Sequence, residues 1–468
     1  MKFTVSNEVT LEDAPKDLVN WIDKDLKIDN PDYLKKQRLG KWTGNTPKKL
    51  CLYRVDGDKI IVPIGALKNI IAWVRYNNIE VEASEDLADN GTIDYNTKVN
   101  LYDYQEDAVK HLLGKGYGIL KSKAGSGKTQ MGITLACELG KKTLWLTHTQ
   151  DLLKQSMDRA IACGVPKELI GTITAGKVNI GKGITFATVQ TLSKQDIRLY
   201  KYCWDVIIVD ECHRVAGTPT SMTQFSKVIN GLAARYKYGL SATIHRADGL
   251  IKSTYMLLGD VAHEVPDSAI ADKVMQVRVK RVDTGLDEIP ENALDTDGTI
   301  KYSTLISELC EIESRNKVIA DVITSDPEHY HLILSDRLSQ LDKIVDMLPE
   351  DFREQCVLIN GKMTSKKAKE EREQAIEDMK AGKKHFLFAS YKLAKEGLDV
   401  PRLDRLHLAT PQKDYAVITQ CVGRVARTFE GKEEPICYDY VDNVRMFENM
   451  WRKRKTSYRK SDCILEGE

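Results

Sequence analysis

The sequence predicts an α/β chain: two tandem parallel-sheet domains behind a small α+β N-terminal domain. Three observations carry this. Apolar, strand-like runs alternate with helical runs from residue 97 to about 262 and again from 301, the pattern of parallel strands joined by helices. A glycine-rich turn stands between a short apolar run and a helix in the first of these stretches. Residues 1–95 lack the alternation and carry a hairpin signal instead.

The chain has 468 residues, room for two or three domains, and 42% of them are hydrophobic, enough for sizeable cores. With 69 basic and 68 acidic residues the net charge is +1, so only local patches bear on nucleic-acid binding. The 10 cysteines are scattered without a Cys-x-x-Cys pair, which argues against a zinc module or a disulfide framework and for a reducing compartment. The opening residues lack a basic region followed by an apolar run, so no signal peptide is expected. No stretch nears ~18 uninterrupted apolar residues, so no membrane span is expected. The expectation is a soluble cytoplasmic protein.

In the N-terminal segment, Cys51-Leu-Tyr-Arg-Val55 and Lys59-Ile-Ile-Val-Pro63 flank Asp56-Gly57-Asp58, a β-hairpin around an Asp-Gly turn. Leu67 to Tyr76 follows as a helix with Leu67, Ile70, Ile71 and Val74 on one face. Ahead of both lies Lys35-Lys-Gln-Arg-Leu-Gly-Lys-Trp42, then Lys48 and Lys49, either a solvated loop or a strip of phosphate contacts.

In the next stretch the expected strands are Thr143–Thr147, Ile184–Thr188, Val206–Val209 and Tyr238–Ser241, with a helix over Asp151–Cys163. Residues 265–300 are polar and acidic, with a strand expected at Val274–Val279. The second domain reads as helix Lys317–Thr324, strand His331–Ser335, helix Ser339–Leu348, strand Val357–Ile359, helix Ser365–Lys380, strands His385–Ala389 and Arg405–Leu408, helix Tyr415–Arg427 and strand Pro435–Val441. The division is therefore 1–95, an accessory and DNA-binding domain; 96–264 and 265–445, the two α/β domains; and 446–468, a basic C-terminal tail.

The turn is Lys121-Ser-Lys-Ala-Gly-Ser-Gly-Lys-Thr129, preceded by Tyr117-Gly-Ile-Leu120 and followed by a helix over Gln130–Leu139. Strand, glycine-rich turn and helix in that order are the context of a phosphate-binding loop. Gly125 and Gly127 let the backbone curl so that successive N–H groups point at an anion, with the helix dipole adding to the field. Ala124 and Ser126 complete the cradle, Lys128 reaches the β- and γ-phosphates of ATP, and the Thr129 hydroxyl holds Mg²⁺. Ser122 stands where the common pattern has Gly.

A nucleotide hydrolase of this kind needs a carboxylate site beyond the loop. Val206-Ile-Ile-Val-Asp210-Glu211-Cys212-His213 supplies it: a buried strand with Asp210 at its carboxyl end, where ligands bind in such sheets. Asp210 joins Thr129 in the Mg²⁺ shell, and Glu211 orients or deprotonates the attacking water. In the second domain, Gln420, Arg424 and Arg427 fall at i, i+4 and i+7, one face of the expected helix. Two arginines on an otherwise apolar helix are costly in a core and make sense facing a phosphate.

Ala124-Gly-Ser-Gly-Lys-Thr129, Asp210-Glu-Cys-His213, Ser241-Ala-Thr243 and Gln420-x-x-Gly-Arg-x-x-Arg427 stand in the order and spacing of the superfamily 2 helicases, which the chain resembles from about residue 98 to 445. Thr147-His-Thr-Gln-Asp-Leu-Leu153 and Phe186-Ala-Thr-Val-Gln-Thr191 look like that family's nucleic-acid motifs, and Ala389 to Pro401 looks like its motif V. The DECH-box form, Leu101-Tyr-Asp-Tyr-Gln105 and His245-Arg-Ala-Asp-Gly249 resemble the group of the eukaryotic transcription-repair helicase and the bacteriophage and prophage branch-migration helicases.

The resemblance implies two RecA-like domains with ATP bound between them. It implies that Gln105 reads the adenine edge; Tyr102 stands where the family often has Arg. Gly397 and Asp399 lie near the ribose and phosphates, and Arg424, Arg427 and Gln420 complete catalysis. His213, Ser241, Ala242 and Thr243 couple hydrolysis to the nucleic-acid side. Thr147, Thr188, Thr191, Ser335 and Arg337 are implied to grip the DNA backbone. The implied activity is ATP hydrolysis driving the unwinding or remodelling of single-stranded, forked or branched DNA, by a protein that works as a monomer, in the host cytoplasm if phage-encoded. The alternatives are the motor of a restriction or nuclease complex and an RNA helicase.

Overall fold

The computed structural model describes residues 1–97, 99–215, 222–244, 250–295, 299–359 and 366–467. The sequence stretch at 245–249 therefore lies outside the described residues. The chain divides into two compact units, Met1–Lys123 with Gly127–Ala269, and Ala124–Ser126 with Ile270–Glu468. No described helix is long and apolar enough to cross a membrane.

The first unit opens with β1 (Lys2–Val5), β2 (Glu8–Glu12), α1 (Lys16–Asp25), β3 (Lys27–Asp29), α2 (Pro31–Arg38), β4 (Lys49–Cys51), β5 (Arg54–Asp56), β6 (Lys59–Pro63), α3 (Leu67–Tyr76) and β7 (Glu82–Glu85). Five strands pair in the order β5-β6-β2-β1-β7. The hairpin β5–β6 turns through Gly57 at φ 62°, a backbone that favours glycine. The face of α3 that buries Ile70 and Val74 packs with Phe3, Val9, Leu11, Leu18 and Ile22.

The unit continues with α4 (Asp103–Leu113), β8 (Tyr117–Lys121), α5 (Lys128–Leu139), β9 (Thr143–Thr147), α6 (Gln150–Ala162), β10 (Ile170–Thr174), β11 (Lys177–Asn179), β12 (Ile184–Thr188), α7 (Val189–Leu192), β13 (Val206–Asp210), α8 (Gln224–Gly231), β14 (Tyr236–Ser241), α9 (Ile251–Leu258) and β15 (Val261–Glu264). Eight strands pair in the order β11-β10-β12-β9-β13-β14-β8-β15, all parallel except β10 with β11. Strands β9, β12 and β13 are buried along their whole length, as a parallel sheet covered on both faces requires.

The N-terminal module is fastened to the amino-terminal edge of this sheet. Met256 of α9 belongs to its core, and a Cβ on Gly65 would meet the Tyr255 carbonyl oxygen at 2.1 Å. Lys237 on β14 is 1% exposed and donates from Nζ to the Asn7 carbonyl at 2.8 Å. Burial pushes its ammonium down to about 8. The linker then crosses the turns that precede the strands: Ala88 N–H donates to Ala233 O at 2.7 Å, Asn90 N–H to Asp205 Oδ1 at 2.9 Å, and Ile93 N–H to Gly140 O at 2.7 Å. The carboxyl edge is left to the phosphate loop and Asp210.

The second unit contains β16 (Arg278–Asp283), α10 (Tyr302–Glu311), α11 (Glu313–Thr324), β17 (His331–Ser335), α12 (Leu338–Met347), α13 (Glu350–Arg353), β18 (Cys356–Ile359), α14 (Lys366–Lys380), β19 (Phe386–Ser390), α15 (Tyr391–Gly397), β20 (Arg405–Leu408), α16 (Tyr415–Val425), β21 (Ile436–Val441), α17 (Arg445–Lys460) and β22 (Ile464–Leu465). Its strands pair in parallel in the order β18-β19-β17-β20-β21-β16-β22.

Three expectations are corrected here. The strand expected at 274–279 is shifted to Arg278–Asp283, in register with β21. The helix expected to reach Arg427 ends at Val425, and Arg427 instead bridges Val274 in extended backbone, so the three-residue helical face does not form. The basic stretch expected as a tail is α17, which buries Phe447, Met450, Trp451, Arg454, Ser457 and Tyr458, and is followed by β22 on the sheet edge. Those positions recur at helical spacing, but the lysines and arginines of the outer face dominate the composition. Arg454 is no surface charge: it pairs with Asp439 at 2.7 and 2.8 Å and donates to Gln412 O at 2.8 Å.

Candidate active site

The phosphate loop links β8 to α5. Gly125 and Gly127 hold φ 86° and 82°, in the left-handed region. Helix α5 begins at Lys128, two residues earlier than expected, with Gly127 as its N-cap and no side chain capping it. Its first N–H groups are thus those of the loop itself. Lys128 Nζ folds back on the loop, donating to Ser122 O at 3.1 Å and Lys123 O at 3.0 Å. Ser122 is buried, and its N–H bonds Ser241 O at 3.1 Å, which ties the loop to the end of β14. Thr129 is half-buried in the first turn of α5.

Gln105 sits directly against this loop. It is 3% exposed, and a Cβ on Gly127 would stand 2.4 Å from its Nε2. Its Oε1 accepts the Tyr102 N–H at 3.0 Å in a capping box that starts α4. Tyr102 is exposed and stacks on Tyr104, with ring centroids 5.9 Å apart and planes 15° apart.

Asp210 ends β13, nearly buried, and its Oδ1 accepts the Glu211 N–H at 3.0 Å. Burial, then the neighbouring Glu211 charge, push its carboxyl up to about 7, with Lys128 pulling the other way. Asp210, buried at the strand end, and the Thr129 hydroxyl offer the hard oxygen donors that Mg²⁺ takes. Glu211 adopts φ 51°, a strained backbone for a residue with a Cβ.

From Glu211 a relay of polar contacts crosses to β14. His213 Nδ1 lies 3.2 Å from Glu211 Oε2 and 3.0 Å from Ser241 Oγ. Ser241 Oγ donates to Thr243 O at 2.6 Å and accepts the Thr243 N–H at 3.3 Å. Ala242 forms the turn between them. Thr243 Oγ1 is buried without a partner among the described residues.

In the second unit, the structure brings the motif V and motif VI residues together. Arg424 donates from Nε to Ala394 O and from Nη1 to Leu398 O, both at 2.8 Å. Arg427 pairs with Asp399. Gly397 is the last residue of α15. Gln420 is 7% exposed, and its Oε1 has no partner among the described residues.

Lys432 is a residue that sequence reasoning missed. Its Nζ donates to Val425 O at 2.7 Å, Arg427 O at 2.8 Å and Pro401 O at 3.0 Å. It thereby clamps the end of α16, the arginine and motif V to one point. Burial pushes its ammonium down to about 7. In Glu430-Gly-Lys-Glu-Glu434 it reads as a solvated turn, and nothing local marks it.

The residues expected to grip DNA have partners within the chain. Thr147, Thr188, Thr191 and Ser335 are all buried. Thr147 Oγ1 donates to Thr149 O at 3.1 Å, Thr188 Oγ1 to Thr191 Oγ1 at 3.0 Å, and Ser335 Oγ to Gln340 Oε1 at 2.6 Å. Arg337 Nε donates to Ser307 Oγ at 3.1 Å. Hydroxyls at strand ends are used here to satisfy turns, a choice that a sequence pattern does not reveal.

Residues 98–246 match the family described as the Type III restriction enzyme res subunit, and residues 314–429 the Helicase conserved C-terminal domain; together these span more than half of the chain. A putative ATP-dependent RNA helicase of Acanthamoeba polyphaga mimivirus is 28% identical over 71% of this chain and 62% of its own length. The chain thus matches somewhat under two thirds of that relative. A DNA 3'-5' translocase of Sulfurisphaera tokodaii, XPB2, is 23% identical over 76% of this chain and 84% of its own. Among solved structures, the ATP-dependent Type ISP restriction-modification enzyme LlaBIII bound to DNA shares the fold at a TM-score of 0.55 and 18% identity, over 84% of this chain and 33% of that one.

Proposed function

The chain belongs to superfamily 2 of the helicases, and on that premise we propose that it is an ATP-driven motor that unwinds or remodels forked and branched DNA. The observation that carries the motor reading is the relay from Glu211 through His213 and Ser241 to Thr243. It joins the group assigned to water activation to the strand end that follows it, a route by which hydrolysis and strand grip are coupled.

In this reading the loop N–H groups and Lys128 bind the triphosphate, exchanging the Ser122 and Lys123 carbonyls for phosphate oxygens. Thr129 and Asp210 would hold Mg²⁺, which would shield the phosphate charge. Glu211 accepts a proton from water at its carboxylate, and His213 holds that carboxylate in place. Arg427 supplies positive charge to the transition state, exchanging Asp399 for phosphate, and Arg424 holds motif V beside it. Such arginines are worth about 10³–10⁵ in rate. Gln105 and Tyr102 meet the base. The N-terminal module, with basic α2 and the exposed Trp42 following it, serves as the accessory DNA-binding domain. DNA is the proposed partner, and the monomer the working form.

Two other motors share this chemistry. The restriction-subunit match supports a motor within a restriction complex, and the mimivirus relative's printed name supports RNA. Steady-state ATPase at fixed salt, with no nucleic acid, single-stranded DNA, duplex, fork, four-way junction and single-stranded RNA, separates them. Strongest stimulation by fork and junction is expected. Stimulation by RNA alone, or by none of them, overturns the branched-DNA reading.

A further inference from the structure

We propose that Asp107, His111 and His263 form a binding site for a divalent transition-metal ion of the zinc class, separate from the nucleotide site and independent of its reading. Asp107 and His111 stand one turn apart on α4 and so share a face. His263 comes from β15, far along the chain. One candidate ligand atom from each residue lies within 4.8 Å of the other two. His263 Nε2 is 3.8 Å from Asp107 Oδ2, and the two imidazole rings touch, with centroids 4.6 Å apart.

The arrangement is prepared for a metal in two respects. His111 Nδ1 lies 2.8 Å from the Asp107 carbonyl oxygen and 3.3 Å from Asp107 Oδ1, so Nδ1 carries the proton and donates, Nε2 keeps its lone pair, and the exposed Asp107 carboxylate must turn from Nδ1 to share an ion with Nε2. His263 is a fixed anchor, 12% exposed at its side chain, while Asp107 at 58% and His111 at 50% have room to turn toward it. Bonds of about 2.0–2.1 Å to a tetrahedral ion need the donors closer than they stand, a movement two exposed side chains can make. Two imidazoles and one carboxylate suit zinc, nickel or copper, and suit magnesium or calcium poorly. Water fills the remaining position. Lys115 Nζ is bound to Ala262 O at 3.0 Å, one residue from His263, and its charge holds the affinity below that of a closed four-ligand site.

The position has a consequence for the rest of the unit. Helix α4 starts beside Gln105, which abuts Gly127, and β15 pairs with β8 in a register that sets His263 against Leu120. A bound ion fastens the helix that carries Gln105 to the strand that leads into the phosphate loop.

The test uses the full chain, stripped with chelator, titrated with cobalt(II) as optical probe and then with zinc chloride. One saturable equivalent of cobalt with visible d–d bands, displaced by zinc, is expected, together with a zinc-dependent rise in melting temperature that magnesium does not produce. His111→Ala and His263→Gln should each weaken binding at least about tenfold, as loss of one of three ligands requires. Asp210→Asn should leave it unchanged, whatever its effect on ATP. Absence of saturable binding, binding that survives both histidine variants, or binding lost with Asp210→Asn overturns the proposal.

Discussion

Gly127→Ala is the sharpest perturbation of the phosphate loop, because two separable costs are legible at that position. The first is conformational: φ is 82°, and a left-handed residue with a Cβ costs about 1–2 kcal/mol. The second is steric: the new methyl would stand 2.4 Å from Gln105 Nε2, so Gln105 must move. Moving it breaks the 3.0 Å bond from the Tyr102 N–H and opens the capping box of α4, a further loss of about 1 kcal/mol. The substitution should therefore lower stability by about 2–3 kcal/mol. In a Gln105→Ala background the clash is gone, and the same change should cost only the conformational part. The double-mutant cycle should thus show a coupling of about 1 kcal/mol. Urea unfolding of the nucleotide-free chain, followed by tryptophan emission, reads it; every tryptophan except Trp451 lies in the first unit. Equal costs in both backgrounds would refute the packing of Gln105 on the glycine. A negligible cost in the wild-type background would refute the left-handed loop as well.

Three further outcomes are expected. Glu211→Gln should keep ATP binding and abolish turnover; near-normal hydrolysis would remove Glu211 from water activation. Lys432→Met should lower kcat about tenfold or more with little change in KM, because it releases the carbonyl of Arg427 rather than a nucleotide contact. A change in KM alone would make Lys432 a structural residue only. Acid should destabilise the second unit through His331, whose burial pushes its imidazole from 6.5 down to about 4. Because the folded value is depressed, the unfolded chain binds the proton first: the contribution is complete above about 6.5 and is lost as pH falls toward 4, roughly 3 kcal/mol in all. Unfolding free energies of wild type and His331→Gln measured between those values should differ in slope, and parallel curves would contradict the assignment.

The N-terminal module bears on how such tests are built. Reading residues 1–95 as a separate domain suggests deleting them. The structure argues against that variant, since deletion would strip the Asn7 carbonyl from buried Lys237 and expose Met256. Substitutions at exposed Trp42 or Lys35 probe the module without opening the sheet.

What the sequence determined by itself was local. Val206–Asp210 is an apolar run ended by a carboxylate, and Tyr117 to Leu139 is strand, glycine turn and helix in unbroken order; each can be read because the residues that define it are neighbours. Strands Thr143–Thr147, Ile184–Thr188, His331–Ser335 and Arg405–Leu408 follow the expected bounds for the same reason. The tertiary structure decided everything that needs two distant segments. It set Gln105 against Gly127, His213 against Ser241, Lys432 under Arg427, and His263 beside His111. It also turned Thr147, Thr188 and Ser335 inward, moved Arg427 off its helix, and folded a basic stretch into α17. Backbone periodicity is written in consecutive residues, whereas a side chain's partner is chosen by the strand order that brings remote residues within hydrogen-bond reach.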